Sequence, residues 1–228
     1  MNNLYHHSKK DFQVERVVLF SDAVFAIAIT LLIIELKVPE IHGASITEHS
    51  FFHSLLLLLP QFFSFVLSFF IIGLYWFIHH KMFGHVINYT NKLIWLNLVF
   101  LFSVVLMPFT TAIFGEYSKP GYEMLLAPYG VYVFNICLTG FLNFLLWSYI
   151  GNPKNEVTED FPQGDFLVKA KIRSLLLPFI FIMSFVIGIY IHPIIGKNFL
   201  FLTPLIMSLV RNKKTLTPKQ HKRPEVKI

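Results

Sequence analysis

Residues 15–37 read ERVVLFSDAVFAIAITLLIIELK. The run begins and ends in charge and is apolar between, except for Ser21 and Asp22 near its start. About 20 such residues cross the ~30 Å hydrocarbon layer of a bilayer as a helix, so this stretch decides the fold class. Asp22 is the costly residue in it. It follows Arg16 by six positions, roughly 9 Å of helical rise, which carries it past the hydrocarbon edge. An ionised aspartate without a partner there costs on the order of 3 kcal/mol. Either it locks helices together through Ser21 and Asn, Trp or Arg partners, or it titrates as a proton or ion relay.

The composition agrees with a membrane chain. Of 228 residues, 55% are hydrophobic, 17% aromatic and only 14% charged, and the mean hydropathy is +0.61. Twenty-six phenylalanines exceed what a soluble core of this length can bury, whereas lipid-facing helices display them freely. Cys137 is the single cysteine, which excludes an intrachain disulfide and a cysteine-based metal cluster. No zinc-protease, Walker A or nucleophile-elbow motif is present, nor the TVGYG loop of ordinary potassium channels. The reading is of a non-enzyme with no cofactor and no metal.

Apolar runs of spanning length recur near 17–36, 52–78, 93–115, 124–150, 174–191 and 194–210, giving an all-α membrane protein with six transmembrane helices. Residues 1–16 form a polar N-terminal segment, too long before the first run for a standard signal peptide. Residues 17–210 form the transmembrane domain, and 211–228 a basic tail. Of nineteen Lys and Arg, only Lys37, Lys119 and Lys197 fall opposite the rest. Both termini are therefore expected in the cytoplasm. The tail is read as a topology signal rather than a nucleic-acid or lipid-binding arm, so no nucleic-acid partner is expected.

His79, His80 and His85 cluster near the end of the second run. Adjacent His79 and His80 point to different helix faces, which favours a polar cap flanked by Tyr75 and Trp76 over a metal site. At about 100° per residue, Phe20, Ala23, Ile27, Leu31 and Ile34 form one stripe of the first helix, with Thr30 at its edge. Ser21 and Asp22 point away from it. Periodicity alone leaves that stripe facing lipid, another helix or a central axis.

The pattern R-x-x-x-F-S-D, here Arg16, Phe20, Ser21 and Asp22, resembles the first-helix signature of the transmembrane protein 175 family, potassium channels of endolysosomes and of bacteria. The stretches LYWFIHHKMF and LIWLNLVFLFSVVLMPFTTAIFGEY are similar to that family's second and third helices. The resemblance covers about the first half of the chain. It implies a six-helix subunit, a homotetramer with the first helices lining a pore, and passage of K+ as the permeant ion. Bulky side chains on the first helix narrow the pore in that family, and the matching positions are Ile27, Leu31 and Ile34. Thr30 matches a pore-facing hydroxyl linked to ion preference.

This reading is physically coherent. Four Ile27 side chains around an axis would gate by dewetting, with Thr30 hydroxyls replacing part of an ion's water shell. Arg16, Ser21 and Asp22 would hold the helix in register, and Ala23, Ala26 and Ala28 would permit close approach. Glu40, Glu48, Glu116 and Glu123 on the outer side would favour cations. The expected function is passive, potassium-preferring conduction in a bacterial plasma membrane, with lipids, K+ and other copies of the chain as partners. The alternative is a proton-coupled secondary transporter with Asp22 as its carrier site.

Overall fold

Proline and threonine set most of the helix boundaries. The computed structural model describes residues 2–39, 47–159 and 161–203, with side chains from residue 12 onward apart from that of 201. The second half of the expected sixth helix and the whole basic tail lie outside the described residues, as does Glu40. Among those described, the chain is all-helical apart from one isolated bridge between Val86 and Thr158.

α1 (Asn2–Ile34) runs unbroken from the polar N-terminal segment through the first apolar run, so the segment expected to precede the first helix is part of it. α2 (Glu48–Leu57) starts at a capping box in which Thr47 and Ser50 bond each other's backbone N–H, satisfying donors the first turn leaves free. It breaks at Leu58, and α3 (Leu59–Phe83) begins with Pro60 in its first turn. Proline has no N–H and crowds the preceding turn, so it starts a helix more readily than it continues one. The same device divides α4 (Asn91–Val105) from α5 (Met107–Glu116), where Pro108 follows the break at Leu106. The expected second and third helices are therefore each two segments.

α6 (Ala127–Ile150) and α7 (Asp165–Tyr190) follow, then a short α8 (Pro193–Phe199). α7 starts nine residues before the expected position, because Asp165 to Arg173 continues as a helical, polar first two turns that hydropathy alone discounts. Among the described residues, five stretches are long and apolar enough to cross a membrane: Phe12–Ile34, Leu59–Phe83, Asn91–Glu116, Ala127–Ile150 and Asp165–Tyr190.

Hydrogen bonds bring alternate ends together. At one end the Tyr89 hydroxyl donates to Gln13, the Thr90 and Tyr149 hydroxyls pair at 2.8 Å, and Ile87 N–H donates to Val157 O at 3.0 Å. Arg16, Lys81, Lys92, Lys154, Lys169, Lys171 and Arg173 all belong to the segments meeting there, which makes it the basic end. At the other end buried Lys197 donates to the backbone oxygens of Tyr117 and Glu123 at 3.3 and 2.9 Å. That pins α8 beside the loop between α5 and α6.

α6 and α7 pack at a glycine. Pro178 lies inside α7, and its ring rests on Gly140 of α6. A Cβ at Gly140 would overlap Cγ of Pro178 and stand 2.8 Å from its Cδ and 3.0 Å from the Ser174 carbonyl oxygen. Neither ring nor backbone yields cheaply. Gly140→Ala is expected to destabilise the protein by about 1–3 kcal/mol, the usual cost of overpacking, read as a lower unfolding temperature of the detergent-solubilised protein by intrinsic fluorescence.

Candidate pore helix and its anchor

α1 lies against α3, α4 and α5. Beyond Val14 near the basic end, its buried positions among the described side chains are Ser21, Phe25, Ala28 and Leu32, these four none more than 1% exposed, spaced four, three and four apart as one helix face requires. Ala28 gives that face its close approach, while Ala23 and Ala26 are exposed. The opposite side carries Phe20, Ile27, Leu31 and Ile34, with Ile27 58% and Ile34 70% exposed in the single chain. The stripe and Ser21 are thus on different faces, as the helical phase requires.

The buried face is held by an oriented chain of hydrogen bonds. Ser21 Oγ donates to its own helix at Val17 O, 2.8 Å, so its oxygen is left to accept Nδ2 of Asn97 at 2.9 Å. Asn97 then presents Oδ1 to Nε2 of His79, also at 2.9 Å. The proton of the neutral imidazole accordingly sits on Nε2. His79 is fully buried, stacked on Phe83 with ring centroids 4.2 Å apart and flanked by Phe25 and Phe100. It is an interior strut between α3 and α4, not the interfacial cap expected of it. Tyr75, expected as a belt aromatic, is also buried, and no group of three metal-ligating side chains occurs among the described residues.

Asp22 makes the second attachment. Its Oδ1 accepts Trp76 Nε1 of α3 at 2.9 Å, and the Trp76 ring stacks on His80. Consecutive residues of α1 therefore bond two different helices, Ser21 to α4 and Asp22 to α3. Two bonds at adjacent angles on one helix resist rotation, which sets which side chains face outward. Arg16 does not join them: it is exposed and makes no hydrogen bond or ion pair with the described residues. Thr30 is exposed beside the stripe, its hydroxyl bonded to the carbonyls of Ala26 and Ile27 at 3.1 and 2.9 Å. The donor is used internally, and the oxygen lone pairs remain outward.

Asn97 is the partner that sequence reading did not single out. Its signal was an isolated amide in the apolar run LIWLNLVFLF, a residue that a bilayer tolerates only when bonded. At the outer end, Glu116 is engaged by Lys119 at 2.9 Å and by Gln61, so it is not the free acidic group expected near the mouth.

The family described as endosomal/lysosomal potassium channel TMEM175 matches residues 16–108, which include the Ser21, Asp22, Trp76, His79 and Asn97 anchor. A potassium channel of a Chryseobacterium species is 31% identical over 194 residues, covering 84% of this chain and 90% of that one. The chain belongs to the TMEM175 family. A potassium channel of Streptomyces collinus is 42% identical over 104 residues, 46% of this chain, and the match spans about half of that relative, 48%. The crystal structure of a lysosomal potassium-selective channel TMEM175 homolog from Chamaesiphon minutus matches the fold with a TM-score of 0.69 at 27% identity, over 86% of this chain and 97% of that one. The family is one of ion channels, not of enzymes.

If Asp22 acts as a hydrogen-bond acceptor for Trp76, its charge is dispensable and its oxygen is not. Asp22→Asn is expected to keep the stability of the protein, and Asp22→Ala to lose about 0.5–1.5 kcal/mol by removing the acceptor of the half-exposed Trp76 indole N–H. Thermal unfolding of both variants checks this; equal loss in the two would show that the charge itself matters.

Proposed function

We propose that the chain forms a homotetrameric cation channel that passes K+ in preference to other cations, with four copies of α1 around a central pore. The observation that carries this reading is the two-faced character of α1. One face is bonded and packed into its own subunit, and the other presents Ile27, Leu31 and Ile34 uncovered. A helix anchored on one side and bare on the other is suited to lining an axis. The names of the bacterial relatives and of the matching structure support the choice of ion.

In this reading Ile27, Leu31 and Ile34 form successive apolar constrictions that close the path by excluding water. The Thr30 oxygens, lying one turn beyond Ile27, supply partial ion coordination where the path is narrow. Ser21, Asp22, Asn97, His79 and Trp76 keep the constriction aimed. Conduction is passive, and Asp22 serves as an anchor rather than as a carrier site. The basic end of the bundle faces the cytoplasm of a bacterial cell, with the plasma membrane as the site of action.

The test is flux from K+-loaded vesicles containing the purified protein. K+ is expected to leave down its gradient with no proton gradient imposed; strict dependence on a proton gradient would instead establish the transporter reading. Ile27→Asn is expected to raise the leak while assembly is retained, since lowering the barrier by only ~1.4 kcal/mol increases passage about tenfold. An unchanged leak would remove Ile27 from the gate.

A further inference from the structure

A cleft of about 280 Å3 opens between α1 and α4 at the basic end of the bundle. The two helices both run away from that end, so residues early in each lie toward it. Gln13, Arg16 and Tyr89 form the cleft's outer part, and Val17, Phe20, Ile94 and Leu98 its deeper part, with Asn97 at the side of the Ser21 anchor. The site is therefore polar toward the basic surface and apolar toward the interior of the membrane. Trp95, an exposed aromatic one turn into α4, sits where a membrane–water interface is expected.

The polar part is arranged to receive an anion. The Tyr89 hydroxyl donates to Oε1 of Gln13, which leaves the Gln13 Nε2 donors unbonded in the cleft that Arg16, three residues on, also lines. Arg16 has no hydrogen-bond or ion-pair partner among the described residues. Its planar fork matches a phosphate bidentately. The volume is near the lower end of ligand pockets, ~300 Å3, enough for a phosphate group and the beginning of a chain that continues into the bilayer.

We propose that this cleft binds an anionic phospholipid, with its phosphate on Arg16 and Gln13 and one acyl chain laid along Val17, Phe20, Ile94 and Leu98. A free phosphate would use only the outer half of the site, and a zwitterionic lipid would bring its own cation against Arg16. Because Asn97 belongs to both the cleft wall and the Ser21 anchor, an occupied cleft braces the outward-facing stripe of α1. The lipid is thus a structural effector of the helix, and its binding is independent of which ion passes.

The purified full-length chain is incubated in detergent with phosphatidylglycerol or with phosphatidylcholine of the same acyl chains, and retained lipid is read by native mass spectrometry. Phosphatidylglycerol is expected to be retained about fivefold better, the scale of one basic side chain at an anionic surface. Arg16→Gln combined with Gln13→Leu should abolish the preference, and Leu98→Trp, which fills the apolar part without touching the polar groups, should lower retention of both lipids. In a Cys137→Ser background, Ile94→Cys should react with a maleimide in lipid-free detergent and be protected by phosphatidylglycerol. Equal retention of the two lipids, or a preference that survives the Arg16 and Gln13 changes, would overturn the proposal. So would displacement of the lipid by equimolar glycerol phosphate, which would mark an anion site alone. Protection of Ile94→Cys without lipid would show that a second copy of the chain covers the cleft instead.

Discussion

An amide, an imidazole and a hydroxyl buried among apolar helices must bond to one another, and that constraint organises this protein. Water is not at hand to take up an unmade bond, so each orphaned group costs several times what it costs at a wet surface. Ser21, Asn97 and His79 Nε2 meet it in a single oriented chain that ends on the Val17 carbonyl, and only Nδ1 of that imidazole is left unbonded within the chain of contacts. Each donor faces only one acceptor, so the chain has one arrangement. Together with the bond from Trp76 to Asp22, it fixes α1 to α3 and α4 at a defined rotation.

Everything else about α1 follows from that rotation. Apolar helix faces slide and turn against lipid or one another with little penalty, because lipid tails are as apolar as leucine. An exposed stripe of Ile27, Leu31 and Ile34 would therefore have no defined direction on packing grounds alone. The anchor converts a generic greasy helix into one with a chosen outward face. Phe25, Ala28 and Leu32 then fill the groove beneath it, completing a seam that begins at Ser21.

The remainder of the bundle supplies a rigid frame for this attachment. Breaks at Leu58 and Leu106, each just ahead of a proline, divide α2 from α3 and α4 from α5, and α3, α4 and α5 all pack against α1. Gly140 admits the Pro178 ring, and Gly196 packs so closely on α7 that a Cβ there would fall 2.6 Å from the backbone of Gly188 and Ser184. The Gly196 carbonyl accepts from Ser184 at 2.6 Å and from Tyr129 at 3.2 Å, so this glycine contact is held by hydrogen bonds as well as by shape.

Much of this was open to reading in the sequence. Hydropathy over lengths of about 20 residues determined the helical membrane class, since only helices or closed barrels satisfy backbone groups in lipid. The 100° phase of a helix separated Ser21 from Ile27 and its stripe, and the R-x-x-x-F-S-D run pointed to the family. Helix ends were less legible: α1 extends back through polar residues and α7 starts before its apolar run, because a helix needs backbone bonds rather than hydropathy to continue. What only the tertiary structure decided is who bonds whom. Asn97 and His79 lie 76 and 58 residues from Ser21 along the chain, and no local pattern tells a buried amide from an interfacial one. Burial and hydrogen-bond geometry are properties of assembled helices, so the partner of Ser21, the interior place of His79 and the separation of Arg16 from the anchor emerge only once those helices meet.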